Sequence, residues 1–458
     1  MFTTVAAIST PPGKGGVGLI RISGDRSLEI AEKLFVPRNG KPLSEHPPRV
    51  QMYGNILAAD GKTVLDDGLL TYFQGPHSFT GEDVVEISCH GGEIVTSMVL
   101  SAVLESGADM AEAGEFSRRA FLNGKLSLTA AEGVADLLDA KTEAAALLSS
   151  STARGKLSEK LNGISERILS LSASLWAYID YPDEDLQSVS DEEMLSALKE
   201  IEGLCEALIE SYQIGRAVNS GVNAVIVGKP NAGKSTFFNA LLGERKAIVS
   251  EAPGTTRDRI EYPLKVGKVL LNLSDTAGLR GHTEDSIEKM GMELVSEALE
   301  EAELVFALFD SSKELDSDDK MVLKKLEGKA VKIIPVVTKC DLEKRLDLKQ
   351  MEHLGEPICV TNQEEMDFSV LIQRIESWYL ADETLLKEGG VLTNMRQLTH
   401  LTKTRNLIRE AAENVRSGAK DIASLTLERA LAELNETDGK SAGERILNEV
   451  FSRFCIGK

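Results

Sequence analysis

The sequence predicts a multidomain α/β plus α protein: a mixed α/β N-terminal domain, a helical bundle, and a second α/β domain inserted into that bundle. Three observations lead there. An apolar strand, Asn223 to Val227, runs into Gly228-Lys229-Pro230-Asn231-Ala232-Gly233-Lys234-Ser235 and then a helical stretch, Thr236 to Leu242, the order that a phosphate-binding loop requires. Prolines are frequent up to Pro76, only Pro182 occurs between there and Pro230, and none follows Pro357. Because proline breaks helix interiors, the two proline-poor stretches read as long helices. The first 120 residues instead carry β-rich runs and turn signals, and 458 residues are too many for a single core.

The expected domains are 1–120, a discontinuous helical domain of 121–215 with 380–458, and the insertion at 216–379. In the first, Thr3 to Ile8 and Val17 to Ile22 read as strands, with turns at Pro11-Pro12-Gly13 and Gly15-Gly16. Gly13-Lys14-Gly15-Gly16 resembles a phosphate loop but lacks the Gly-Lys-Ser ending, so it reads as a tight connection or a site for another anion. In the second, apolar residues recur at helical steps around 128 to 148 and 157 to 179 (Leu161, Ile164, Ile168, Leu171, Leu175), and again at Leu398, Leu401, Leu407 and Ile408. The insertion joins the bundle near 216–221 and 379–390, where Gly221, Gly389 and Gly390 allow bending. That layout suits the transmission of nucleotide-driven motion.

The inserted domain carries its chemistry in four motifs. Gly228 and Gly233 let the loop backbone aim its N–H groups at phosphate oxygens, Lys234 supplies charge to the outer phosphates, and the Ser235 hydroxyl binds Mg²⁺. The strand Val269 to Ser274 delivers Asp275-Thr276-Ala277-Gly278, where the aspartate holds Mg²⁺ through water and the glycine amide senses the γ-phosphate. Lys332 to Val337 ends in Thr338-Lys339-Cys340-Asp341, whose carboxylate pairs with the N1–H and amino group of guanine, a donor pair that adenine lacks. Gly254-Thr255-Thr256-Arg257-Asp258 supplies a switch threonine, Thr256, for Mg²⁺. Each motif alone is weak; four in this order make a Ras-like GTPase domain. Two positions depart from the Ras pattern. Leu279 stands where Ras-like enzymes carry the water-orienting glutamine, which turns attention to Glu284, Asp285 and Glu288, and Thr338 replaces the usual guanine-binding asparagine. Guanine specificity with moderate affinity is expected.

Composition limits the alternatives. A net charge of −21 argues against a protein that coats nucleic acid nonspecifically and confines any RNA contact to local patches. The possible patches are Arg118, Arg119 and Lys125, and the helical series Arg396, Lys403, Arg405, Arg409 and Arg416, which also reads as a solvated face. Five dispersed cysteines, with no Cys-x-x-Cys spacing, argue against disulfides and zinc and for a reducing cytoplasm. No signal pattern and no apolar run of membrane-spanning length is present.

Further motifs carry a resemblance over the whole chain. Thr10-Pro11-Pro12-Gly13-Lys14-Gly15-Gly16-Val17-Gly18, Ile20-Arg21-Ile22-Ser23-Gly24, Thr80-Gly81-Glu82-Asp83, His90-Gly91-Gly92, Leu122-Asn123-Gly124-Lys125 and the ending Phe454-Cys455-Ile456-Gly457-Lys458 resemble the MnmE (TrmE) tRNA modification GTPases. The resemblance implies a cytoplasmic homodimer that works with an FAD-dependent MnmG-type partner, in a heterotetramer or larger complex, to modify C5 of the wobble uridine of certain tRNAs. It implies a tetrahydrofolate derivative, 5-formyl- or methylene-tetrahydrofolate, held by Arg21, Glu82, Lys125 and Lys458, with Cys455 in a catalytic or structuring role. It further implies that G domains of two subunits meet around K⁺ held by Asn231, Ser250, Ala252 and Thr255, with Glu288 as the catalytic glutamate and Arg257 and Asp258 organising the switch.

GTP contacts are expected from Asn231, Ala232, Gly233, Lys234, Ser235, Thr236, Ser250, Glu251, Ala252, Pro253, Gly254, Thr255, Asp275, Thr276, Ala277, Gly278, Thr338, Lys339 and Asp341. The last guanine loop, Val360-Thr361-Asn362, departs from the Ser-Ala-Lys-like pattern usual there. The alternative function is a ribosome-assembly or regulatory GTPase without modification chemistry, and folate binding separates the two. A ribosome-assembly GTPase typically adds a basic RNA-binding module, which this acidic chain lacks.

Overall fold

The computed structural model describes residues 3–180, 190–243, 261–274, 299–329, 331–361, 368–380, 383–440 and 443–458. The chain divides into two compact units, Met1–Ala135 with Thr152–Met194 and Glu410–Lys458, and Asp136–Ser151 with Leu195–Arg409.

The first unit opens with β1 (Val5–Ile8), β2 (Val17–Ser23), α1 (Ser27–Leu34), β3 (Phe35–Pro37), β4 (Gln51–Leu57), β5 (Val64–Phe73), β6 (Val84–His90), α2 (Glu93–Glu105), β7 (Asp109–Met110) and α3 (Glu115–Leu122). The strands form one sheet in the order β3-β4-β5-β6-β2-β1-β7. Alternation decides its two faces: Ile20 and Ile22 of β2 stand opposite Ile87 and Val85 of β6 and join Ile30, Val99 and Val103 of α1 and α2 in the core. Arg21, between the two isoleucines, faces the other way, opposite Glu86.

Helices continue the chain: α4 (Leu128–Asp139), α5 (Glu143–Ala153), α6 (Lys156–Asp180) and α7 (Asp191–Asn219). The periodic stretch expected over 128 to 148 is two helices, because Thr142 accepts the Ala145 N–H at 3.0 Å and starts a new one. Along α6 the expected stripe Leu161, Ile164, Ile168, Leu171 and Leu175 is buried.

The second unit builds its own sheet from β8 (Val222–Val227), β9 (Glu261–Val266), β10 (Val269–Ser274), β11 (Leu304–Asp310), β12 (Lys332–Thr338) and β13 (Ile358–Cys359), ordered β13-β12-β11-β8-β10-β9. All neighbours are parallel except the edge pair β10 and β9. A central parallel strand is covered on both faces, and all seven residues of β11 are buried. Helices α8 (Lys234–Gly243), α9 (Ser317–Leu326) and α10 (Ser369–Tyr379) accompany these strands, and α11 (Glu383–Glu388) follows.

Three helices close the chain: α12 (Met395–Arg416), α13 (Lys420–Asp438) and α14 (Glu444–Ser452). Gln397, Leu401, Thr404, Ile408, Ala411 and Val415 form the buried stripe of α12. Its spacing is helical, although two members are polar. Within the first unit, α13 packs on α6, and buried Asp438 accepts the hydroxyls of Thr129 at 2.6 Å and Ser158 at 2.8 Å. No described helix is long and apolar enough to cross a membrane.

Candidate functional site

The loop after β8 is shaped by three left-handed or near-extended residues: Gly228 (φ 156°), Asn231 (φ 61°) and Gly233 (φ 92°). A Cβ on Gly228 would lie 2.7 Å from the Leu308 carbonyl oxygen, so the residue has to be glycine for the loop to cross β11. Lys234 folds across the turn and donates to the carbonyls of Gly228 at 2.8 Å and Lys229 at 2.9 Å. Burial pushes its amine down from the ordinary lysine value. Ser235 and Thr236 are exposed in the first turn of α8, where helix N–H groups and dipole favour an anion. A loop turned by two glycines and Asn231, a lysine bridging it and an exposed serine at the helix start fit the donor set that a Mg²⁺-bound triphosphate needs.

The loop's other lysine has a different task. Lys229 is 8% exposed and its Nζ reaches Asp319 at 2.6 Å and Asp316 at 2.7 Å. Both carboxylates belong to the start of α9, where Asp316 caps the helix through the N–H groups of Asp318 and Asp319. Burial pulls the Lys229 amine down, but the two carboxylates outweigh it and hold the amine above its ordinary value.

The end of β12 is tied to the same loop. The Thr338 hydroxyl lies 2.8 Å from the Ala232 carbonyl oxygen and 3.2 Å from that of Phe309, and is therefore engaged by the backbone. Lys339 (φ 56°) donates to Asp310 at 2.6 Å and to the Asn231 carbonyl at 3.2 Å. Asp341 is exposed beside them. The structure thus brings Asn231, Ala232, Gly233, Lys234, Ser235, Thr236, Thr338, Lys339 and Asp341 to one end of the sheet. Ser250, Glu251, Ala252, Pro253, Gly254, Thr255, Thr256, Arg257, Asp258, Asp275, Thr276, Ala277, Gly278, Leu279, Glu284, Asp285, Glu288 and Asn362 lie outside the described residues.

A second cluster occupies the first unit. Arg21 donates to Glu86 through Nε at 2.9 Å and Nη2 at 2.8 Å, and to the Gly457 carbonyl at 3.4 Å. Its guanidinium stands 5.6 Å from the ring centres of Phe79 and Phe116. Glu82 accepts the Ser23 hydroxyl at 2.7 Å and Arg119 at 3.1 Å. The Lys125 side chain packs where a Cβ on Gly81 would stand, 3.3 Å from its Cγ. The C-terminal tail completes the cluster: Gly457 also accepts the Ser9 hydroxyl at 2.9 Å, and Ile456 bridges to Ala113. Arg21, Glu82, Lys125 and the Cys455 to Lys458 tail therefore share one neighbourhood, with Cys455 exposed.

One expectation changes here. Arg119 is not a surface contact for RNA: it is 3% exposed and is bonded to Glu82, Glu115 and the Thr3 carbonyl. In the Gly13 to Gly16 turn the Gly15 N–H is bound to the Gly91 carbonyl at 2.8 Å. The pairings of Glu86, Arg119, Lys229 and Asp319 carry no sequence signal, because they depend on strand register and helix docking.

The sequence matches the family model of the "GTP-binding protein TrmE N-terminus" over residues 4–125 and that of the "MnmE helical domain" over residues 128–455. The chain belongs to the MnmE family. An MnmE from Thermoanaerobacter, described as a tRNA modification GTPase, is 38% identical over 100% of both chains. One from Carboxydothermus hydrogenoformans, with the same description, is also 38% identical over 100% of both. Outside MnmE, a crystal structure of Era in complex with MgGDPNP and nucleotides 1506–1542 of 16S ribosomal RNA is similar at a TM-score of 0.26 and 22% identity, over 41% of this chain and 66% of that one.

Proposed function

We propose that this MnmE-family chain hydrolyses GTP and takes part in tRNA modification. The observation that carries this is a phosphate loop and a guanine loop joined by hydrogen bonds, in a chain 38% identical end to end to tRNA modification GTPases. In the proposed site the loop N–H groups and Lys234 hold the phosphates, Ser235 and Thr256 hold Mg²⁺, and Asp341 selects guanine. Mg²⁺ neutralises charge on the transferred phosphoryl group. Glu288 positions the attacking water in place of the glutamine that Leu279 displaces. Asn231, exposed at the top of the loop, offers an oxygen to K⁺, together with Ser250, Ala252 and Thr255, when two G domains pair in a homodimer.

The finer chemistry is part of the same reading. A tetrahydrofolate one-carbon unit and an FAD-dependent partner supply the modification of the wobble uridine in the cytoplasm. The first-unit cluster suits a folate in kind: Glu82 presents a carboxylate to a pterin, and Arg21, Lys125 and Lys458 present cations to a glutamate tail. The exposed ring of Phe79 beside Arg21 adds a stacking surface.

The test is calorimetric titration of the full chain with 5-formyltetrahydrofolate, with Arg21→Ala as control. Saturable binding that the variant loses supports the reading; no binding by the wild type leaves a GTPase without modification chemistry. In parallel, Asn231→Ala is expected to abolish K⁺ stimulation of GTP turnover, and undiminished stimulation removes Asn231 as the ligand.

A further inference from the structure

Two of the five cysteines meet beside the guanine loop. Cys340 lies within Thr338-Lys339-Cys340-Asp341 after β12, and Cys359 ends β13 just before Val360 and Thr361. The two strands run parallel with Val337 opposite Cys359. Beyond the strand ends the chains stay joined: Val360 N–H donates to the Val337 carbonyl at 2.8 Å, and Cys340 N–H to the Val360 carbonyl at 3.4 Å. The Cys340 thiol turns back to the Val337 carbonyl at 3.2 Å, over the residue that Cys359 pairs with. Burial pushes the Cys340 thiol up to about 11, and hydrogen bonding with the Cys359 thiol adds to the rise. Both are free thiols, and Cys359 is exposed.

We propose that Cys340 and Cys359 are a redox-active pair whose disulfide draws the guanine loop out of its nucleotide-binding shape. The effect on nucleotide rests on the function proposed above; formation of the bond does not. The oxidant is a small-molecule disulfide such as glutathione disulfide. The Cys359 thiolate, its proton passed to solvent, attacks one sulfur of the reagent, whose S–S bond breaks and releases one thiolate. The Cys340 thiolate then attacks the Cys359 sulfur of the mixed disulfide and expels the second thiolate. Both released thiolates take up the protons given up by the cysteines. Two protein thiols are oxidised to one disulfide, and one reagent disulfide is reduced to two thiols.

The consequence follows from geometry. Closing the disulfide removes the Cys340 S–H proton, so the hydrogen bond to the Val337 carbonyl is lost, and the bond fixes the two Cβ atoms at about 3.8 Å, which constrains the neighbours of Cys340. On one side is Lys339, in a left-handed conformation and bonded to Asp310 and the Asn231 carbonyl. On the other is Asp341. By reciprocity, nucleotide bound to the reduced loop shifts the thiol–disulfide equilibrium toward the reduced pair.

The full-length protein is treated with glutathione disulfide, its cysteines are located by peptide mapping, and GDP binding is measured by calorimetry before and after. The expected result is a Cys340–Cys359 disulfide, GDP affinity weakened about tenfold or more, restoration by dithiothreitol, and no change in treated Cys359→Ser. Glutathione left on Cys359 without closure to Cys340 overturns the pair, and closure with unaltered GDP affinity overturns the switch. A reduced protein that does not bind GDP refutes the nucleotide reading, and the switch with it, while the peptide map still decides the bond.

Discussion

Replacing Lys229 with methionine is expected to destabilise the second unit by about 3–5 kcal/mol, the cost of leaving a buried charge without its partner. The residue is 8% exposed and Asp319 2%, and at their separation of 2.6 Å an effective dielectric of about 20 gives an attraction of roughly 6 kcal/mol. Desolvation of both groups takes back several kcal/mol, so the ion pair as a whole is worth less than its loss by halves. Asp319 has little else to rely on: its Oδ1 has no hydrogen-bond partner among the described residues, and its Oδ2 otherwise accepts only the Asp316 N–H at 3.3 Å. Asp316 is half exposed, so loss of its ion pair alone costs about 0–1 kcal/mol. Three outcomes follow in urea unfolding of the full chain, with hydrogen exchange along α9 as the local readout. Lys229→Met falls by the larger amount, Lys229→Met with Asp319→Leu recovers most of it, and the double mutant is far from the sum of the singles. If Lys229→Met costs less than about 1 kcal/mol, or if the two changes add, the pair is no more than a surface contact and the reasoning fails.

Thr338→Val keeps the shape and removes the hydroxyl that faces Ala232 and Phe309; a loss of about 1–3 kcal/mol and weaker GDP binding are expected, measured by thermal unfolding and calorimetry. Gly457→Ala sets a Cβ 2.3 Å from the Ile8 carbonyl at φ 95°, so the tail should lose its seat at about 1–3 kcal/mol, seen as faster amide exchange from Ile456 to Lys458. His90 is held above its ordinary value of 6.5 by its hydrogen bond to Asp66. Its proton-linked stabilisation is complete below pH 6.5 and is lost as pH rises through the higher folded value. An NMR titration of His90 should show the raised midpoint, and Asp66→Asn should return it toward 6.5.

Strands with both faces buried were legible almost to the residue. Val269 to Ser274 is β10 as read, and Asn223 to Val227 falls one residue short of β8, because short, mostly apolar runs closed by glycine-bearing turns have few other solutions. The helix expected through 128 to 148 misses its break because its apolar spacing continues across Thr142, and a single side-chain bond to the Ala145 N–H ends one helix and begins another. Polar residues in the stripe of α12 were equally hidden, since Gln397 and Thr404 are wholly buried while a reading by periodicity counts only apolar residues.

The site divides in the same way. Lys229 and Lys234 are chemically the same in the loop, and only the docking of α9 decides that one meets carboxylates while the other crosses the turn. Thr338 shows the converse. Read as a weakened guanine ligand, it spends its hydroxyl on the Ala232 carbonyl, so the departure at this position falls on the coupling between two loops as well as on base recognition. If that coupling is what Thr338 provides, base affinity and phosphate-loop order have to change together in Thr338→Val. A variant that lost guanine discrimination alone would place the residue back at the base edge.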